Sequence, residues 1–320
     1  MDFFLCLVFN AILLGCTYTL VAIGFSLFFG VMNVVVFCCG DIAVFGAFSM
    51  MGAYAVVYST GIFEVLPFAV CVMLLLLIGA LFCTVLCLCV YRFSIKPFEK
   101  ASDLMPLLST IALGTVVKEV LGLFFQPIVN AASTAAATDT AMTVVSGRNP
   151  QAFPTLIAPG GSIDLRNIIV IAVTVFLLLA LYVFLNKTKT GLSMQAVSQN
   201  KELSYMVGIN VFKTTVLTFV VGSIMLAIGG FLIGNYQTIL SFDDGAMYGV
   251  KGFAAAVVGG LRNTFGAVIG GMLLAFVEVF VSGYIPGGTA YASICAFVIV
   301  VLFIIFKPEG IIGDKSIEKV

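Results

Sequence analysis

Long apolar runs decide the fold class before any motif is read. Phe3 to Cys39 carries no charged residue, and further runs follow at Ile42–Tyr58, Val65–Tyr91, Leu104–Phe125, Asn167–Leu185, Thr214–Gly234, Thr264–Ser282 and Ala290–Phe306. About 20 apolar residues in a helix cross the hydrocarbon core of a bilayer. Only 9% of the 320 residues are charged, too few to cover a soluble protein of this size. The backbone of each run must satisfy its own polar groups in lipid, which selects helices. The expected fold is therefore all-α, a polytopic transmembrane helical bundle of about eight to ten spans in a single domain over 1–320.

Two places interrupt the pattern. Gly30 and Asn33 break the first run, so Val31–Gly40 reads as a broken or re-entrant piece. Val250–Leu261 is apolar but short, and Arg262 and Asn263 follow at once. There is also a short internal similarity: Gly40–Ala47 (GDIAVFGA) resembles Gly260–Ala267 (GLRNTFGA), with Phe-Gly-Val and Tyr-Gly-Val upstream. Paired, Gly-interrupted segments in two halves of a membrane protein point to a transport site.

Basic residues orient the spans. Asn186–Lys213 is a polar stretch holding Lys187, Lys189, Lys201 and Lys213, which the positive-inside rule places in the cytoplasm. If helical, it brings Leu192, Ala196, Leu203 and Val207 onto one narrow sector and leaves Gly208 at the C-cap. That describes an amphipathic helix at the cytoplasmic face with something to dock on; a solvated loop is the other reading. Arg92, Lys96 and Lys100 mark a second cytoplasmic loop, and Lys307, Lys315 and Lys319 place the C-terminus inside. Residues 126–166, rich in Pro, Ala, Thr and Ser, then form an extracytoplasmic loop. The start of the chain has no basic region of the kind a signal peptide carries.

Several chemistries are excluded. The chain has no His, so no His-based metal site or proton relay, and no GxxxxGK[ST] phosphate loop. Its nine cysteines lie in or beside apolar runs and read as small hydrophobes rather than disulfide partners. No nucleophile-base or paired-carboxylate pattern suggests catalysis.

The candidate pathway residues are the polar ones that apolar runs do not explain. Lys118 and Glu119 lie inside the fourth run, where a central charge costs about 2.5–3.5 kcal/mol on insertion scales. Either they serve function, or they snorkel to the interface. Glu278 is nearer its helix end and reads as a snorkelling side chain. Asp41 suits the N-terminus of the second span as a cap. Asn33, Arg262 and Asn263 sit beside the broken segments, where exposed backbone needs a polar cavity. The Gly-Gly pairs at 229–230, 259–260 and 270–271 read as close helix contacts.

Five stretches together resemble one family. TLVAIGFSLFFGVMNVVVFCCGDIAVFGAF (19–48), STIALGTVVKEVLGLFF (109–125), GLSMQAVSQNKELSYMVGIN (191–210), KGFAAAVVGGLRNTFGAVIGGMLLAFVE (251–278) and KPEGIIG (307–313) look like branched-chain amino-acid ABC importer permeases, most closely the smaller subunit. The resemblance implies an all-helical permease in a bacterial or archaeal cytoplasmic membrane. It implies a homologous second permease, two cytoplasmic ATPases and an extracytoplasmic binding protein as partners, with ATP bound on those ATPases and no cofactor on this chain. It also implies that 187–212 is a coupling loop, with Gln195, Ala196, Asn200, Glu202, Leu203, Val207 and Gly208 at the ATPase contact. Two departures stand out: Val-Phe-Cys-Cys-Gly at 36–40 where the family has Asn-Phe-Ala-His-Gly, and Gln195 where it often has a basic residue. The first bears on the substrate, since related permeases carry urea or short amides. An ion-coupled secondary transporter is the alternative from another class. It calls for intramembrane carboxylates near the midplane, and Glu119 and Glu278 read as off-centre.

Overall fold

The structure is a computed structural model that describes the chain except residues 1, 60–67, 99–101, 103, 136–154, 159–160, 237–240, 308–309 and 313–320. Its helices are α1 (Asp2–Met32), α2 (Cys39–Ser59), α3 (Phe68–Val90), α4 (Leu104–Ala135), α5 (Leu165–Lys187), α6 (Lys189–Gln199), α7 (Lys201–Met206), α8 (Val211–Tyr236), α9 (Asp244–Gly259), α10 (Thr264–Tyr284) and α11 (Gly288–Phe306). Among the described residues seven of these have the length and apolarity to cross a membrane. Cys39–Ala53 of α2 is a shorter apolar stretch, and α9 has 16 residues. The polytopic helical bundle expected from the apolar runs is therefore the observed fold.

Four details differ from the sequence reading. Val31–Gly40 is not a separate re-entrant piece: α1 continues to Met32, α2 begins at Cys39, and only 33–38 lies between them. Asn33 ends α1 in the left-handed region at φ 56°, a conformation Asn tolerates better than most residues. Val250–Gly259 is the later part of a longer helix, since α9 starts at Asp244, and Gly260 and Leu261 lie beyond its end; at 1.5 Å per residue α9 spans about 24 Å. The fourth span runs past Phe125 into the segment read as a loop, to Ala135. That segment also holds a short antiparallel ribbon, Thr155–Ala158 paired with Gly161–Asp164, the one departure from all-α among the described residues.

The chain forms two compact units. The first comprises Met1–Val35, Phe153–Thr218 and Lys251–Val320. Here α1 packs along α10, with Gly15 against Met272 and Gly271 against Thr19. The later part of α9 crosses α10 so closely that a Cβ at Gly259 would strike Gly266, and one at Gly270 would strike Ala255. Without a hydrophobic drive between helices in lipid, such small-residue crossings supply the packing. After α11 the chain returns to this crossing: Gly310, at φ 83°, lies against Gly260, and the Ile311 and Ile312 amides donate to the Val258 and Gly259 carbonyls at 2.9 and 3.1 Å.

The second unit comprises Val36–Ala152 and Phe219–Val250. Its core joins Val44, Phe48 and Met51 of α2 with Val117 and Leu121 of α4. Gly230 of α8 meets the Ala43 backbone, and Gly40 meets Gly245 and Gly249 of α9. The Cys83 thiol donates to the Ile42 carbonyl at 3.3 Å, and Thr84 and Ser223 share a hydrogen bond of 2.8 Å. The segments matched as an internal similarity sit differently: Gly40 is inside α2, whereas Gly260 lies between α9 and α10 at φ 112°.

Candidate functional site

The polar loop 187–212 folds as two short helices with a hinge. Thr188 caps α6 by accepting from the Gly191 amide at 3.0 Å. Asn200 is extended, at φ −156° and ψ 114°, and its side chain caps α7 by accepting from the Glu202 and Leu203 amides at 2.9 and 3.0 Å. Gly208, at φ 87°, closes α7, with its amide on the Tyr205 carbonyl and the Ile209 amide on the Ser204 carbonyl. The glycine stop read from the sequence is there, one residue past the C-cap Val207.

The single sector is not. Asn200 resets the helical phase, so positions before and after it no longer share one stripe. Gly191, Met194 and Val197 are buried on α6, and Ser204 on α7. Leu192, Leu203 and Val207 are exposed, and Ala196 is half-buried. The result is an outward apolar surface of Leu203, Tyr205, Met206 and Val207, the last 81% exposed. Glu202 is exposed beside it, and Gln195 donates to the Asn186 side-chain carbonyl at 2.9 Å.

Behind α6 lies a cavity of about 530 Å³ lined by Ser26, Asn186, Gln195, Ser198, Arg262 and Asn263 among others. It is wholly within the first unit. Arg262 donates to the Asn33 side-chain oxygen at 2.8 Å, so the residues flanking both interruptions meet here. Asn263 caps α10, accepting from the Phe265 and Gly266 amides at 3.0 and 3.3 Å.

Deeper in the same unit is a charge cluster that the sequence reading missed. Lys251 of α9 is 7% exposed and donates to the Glu278 carboxylate at 2.5 Å and to the Tyr18 hydroxyl at 2.9 Å. The Tyr18 hydroxyl in turn donates to the other Glu278 oxygen at 2.8 Å, and the Ser293 hydroxyl lies 3.5 Å from the carboxylate. Glu278 is therefore an interior ion-pair partner, not a snorkelling side chain. The available signal was a Lys inside the short apolar run, opposite in sign to a Glu in the next span.

In the second unit Lys118 forms an ion pair with Asp243, while its neighbour Glu119 is exposed. Asp41 lies inside the first turn of α2 rather than ahead of it as an N-cap, half-buried against Gly114 and Gly245. Among the described residues no group of His, Cys, Asp and Glu is arranged to hold a metal.

Helices of membrane-spanning length, a polar cavity at a broken segment and a capped helical loop define a multi-pass membrane transport protein. The family described as "Branched-chain amino acid transport system / permease component" matches residues 7–305, and the chain belongs to it. It is 27% identical to the high-affinity branched-chain amino acid transport system permease protein LivH of Salmonella typhimurium, over 99% of this chain and 98% of that one. LivH of Escherichia coli K12 is 27% identical over the same shares, 99% and 98%. BraD of Pseudomonas aeruginosa is 26% identical, over 97% of this chain and 96% of its own. The chain is thus the permease component of a transport system.

Proposed function

We propose that this chain is one of two permease subunits of an ABC importer that carries branched-chain amino acids into the cytoplasm, driven by ATP hydrolysis on partner ATPases. The chain itself binds no cofactor in this reading. An extracytoplasmic binding protein delivers the substrate. The observation that carries the coupling step is the outward apolar surface of α7 on a lysine-rich, doubly capped loop. Four apolar side chains facing out beside Lys201 and Lys213 suit a protein partner better than water. Ion-coupled transport is disfavoured in that Glu278, an interior carboxylate, is already paired with Lys251.

The test is reconstitution with both ATPases, the second permease and the binding protein. ATP-dependent leucine uptake is expected; uptake of urea but not of leucine, isoleucine or valine would move the substrate to the amide branch of the family. Val207→Glu or Ala196→Glu sets a carboxylate into the ATPase contact, costing several kcal/mol if it stays unpaired, on the order of 2–7 kcal/mol for a polar group. Binding-protein-stimulated ATP hydrolysis should then fall at least about tenfold, since each 1.4 kcal/mol is a factor of ten, with insertion unchanged. Undiminished coupling in both variants sinks the docking role. Orientation is read separately. In a background without native cysteines, Cys at Ser146, which lies outside the described residues, should react with an impermeant maleimide in intact cells, and Cys at Ser198 should not.

A further inference from the structure

The polar cavity behind α6 does not end at its polar wall. Leu185, Thr264 and Phe265 line it on one side and, on the other, line a second cavity of about 340 Å³. The second is apolar, bounded also by Val175, Leu179 and Tyr182 of α5. Those three side chains and Phe265 are well exposed along the helix flank, and Tyr182 and Phe265 meet edge to face at 5.0 Å. A polar recess therefore adjoins an apolar groove whose lining is exposed along the helix flank.

The recess has a sign. Its lining includes the guanidinium of Arg262 and the amides of Asn186, Gln195, Gln199 and Asn263, and none of its lining side chains is acidic. Arg262 spends one nitrogen on Asn33, which leaves further donors of its planar fork. A guanidinium with amide neighbours suits a phosphodiester: the Arg takes the charged oxygens, and the amides take headgroup hydroxyls. The groove has the complementary character for an acyl chain. A free amino acid would use the recess but has no use for a lateral groove of exposed Val, Leu and Tyr.

We propose that the paired cavities bind one anionic phospholipid, its phosphate on Arg262 and one acyl chain along Val175, Leu179 and Tyr182. Given the orientation in which the lysine-rich loop is cytoplasmic, this is a lipid of the inner leaflet; the inference rests on that orientation and not on the transported substrate. Basic recesses between membrane helices on the cytoplasmic side are known to hold anionic headgroups. The phosphate would lie among side chains of α6 and the start of α10, so its presence braces the coupling helix against the helix bundle.

The experiment is native mass spectrometry of the assembled transporter after exchange into phosphatidylcholine containing phosphatidylglycerol. Wild type is expected to retain one phosphatidylglycerol, and Arg262→Gln to lower that occupancy about fivefold or more, the loss of roughly one surface charge interaction or a stronger built one. Gln199→Glu, an exposed position, places a carboxylate at the recess and should lower it as well; this variant decides the matter if Arg262→Gln does not assemble. Arg262→Lys should retain part of the occupancy. Equal retention by wild type and Gln199→Glu overturns the proposal. So does displacement of the lipid by millimolar inorganic phosphate, which would make the recess a site for a free anion. Because the readout is lipid retention, a failure here leaves the transport reading intact, and absent leucine uptake leaves this inference intact.

Discussion

Among the described residues each unit holds one lysine–carboxylate pair, and the two are built in opposite ways. In the first unit Lys251 and Glu278 have side chains only 8% and 14% exposed, with Tyr18 and Ser293 hydroxyls completing the carboxylate's partners. In the second, Lys118 and Asp243 are 33% and 73% exposed, with Asp41 nearby. A charge taken out of water is tolerated only when its partner and hydrogen bonds are in place. The interior pair is thus a structural commitment, since neither member can leave without stranding the other. The outer pair is open to exchange with water or ligand, and holds little of the fold together. Intramembrane charge is commonly read as function by default; here one pair explains packing and the other is free to act.

The largest effect should come from stranding Glu278. Lys251→Met removes the ammonium and leaves a carboxylate among apolar helices, which costs about 3–5 kcal/mol for a broken buried pair. The thermal midpoint of the purified complex should fall by many degrees. Lys251→Met with Glu278→Leu removes both charges and should recover most of the loss, because replacing a whole buried pair by apolar side chains is often neutral. Failure of the double variant to recover would mean that the pair has a role beyond its own neutralisation.

A smaller effect is expected at the shared hydroxyl. Tyr18 accepts from Lys251 and donates to Glu278 while itself being fully buried in α1. Tyr18→Phe keeps the ring, over which the ammonium lies at 5.4 Å, and deletes only the hydroxyl. The loss should be about 1–3 kcal/mol, the penalty of leaving a buried partner short of one hydrogen bond. In the Lys251→Met, Glu278→Leu background the same change should cost less, and a double-mutant cycle measures that coupling. Additivity across the cycle would break the picture of a single cluster.

How far the sequence reached follows the same division. The helices are legible because hydropathy reports burial in lipid directly; most bounds agree within a few residues, but the fourth helix runs on to Ala135 and the short one starts at Asp244, where polar residues hide the helix from hydropathy. The loop helices are legible in part: Gly208 announces its turn, but Asn200 reads as an ordinary helical position, so the break between α6 and α7 is missed, although Leu192, Leu203 and Val207 are all exposed. The Lys251–Glu278 pair was hidden because a helical pattern does not say which face meets which helix. Position along the span suggested that Glu278 snorkels; the crossing of α9 over α10 at Gly259, Gly266 and Gly270 instead brings Lys251 to it. Asn33 and Arg262, by contrast, stand out separately in the sequence as polar residues beside breaks, and the structure joins them by a hydrogen bond that the sequence does not foretell.

The smallest effect on stability, and the most informative contrast, is expected at the outer pair. Lys118→Gln and Asp243→Asn each remove one member of an exposed pair whose charges are screened by water and salt. The thermal midpoint should stay within error, and added salt should change it no more in the variants than in wild type. Glu119→Gln, one residue along α4 and also exposed, serves as the control for charge on that helix. Transport is the readout that separates the roles. If the outer pair acts on substrate, Lys118→Gln should lower ATP-dependent uptake severalfold at unchanged stability, and Asp41→Asn should do likewise, since the two charges share one environment. Glu119→Gln should transport as wild type does. A Lys118→Gln complex that transports normally, or one that unfolds early, would remove the distinction: the outer pair would then be inert decoration in the first case and a second structural lock in the second.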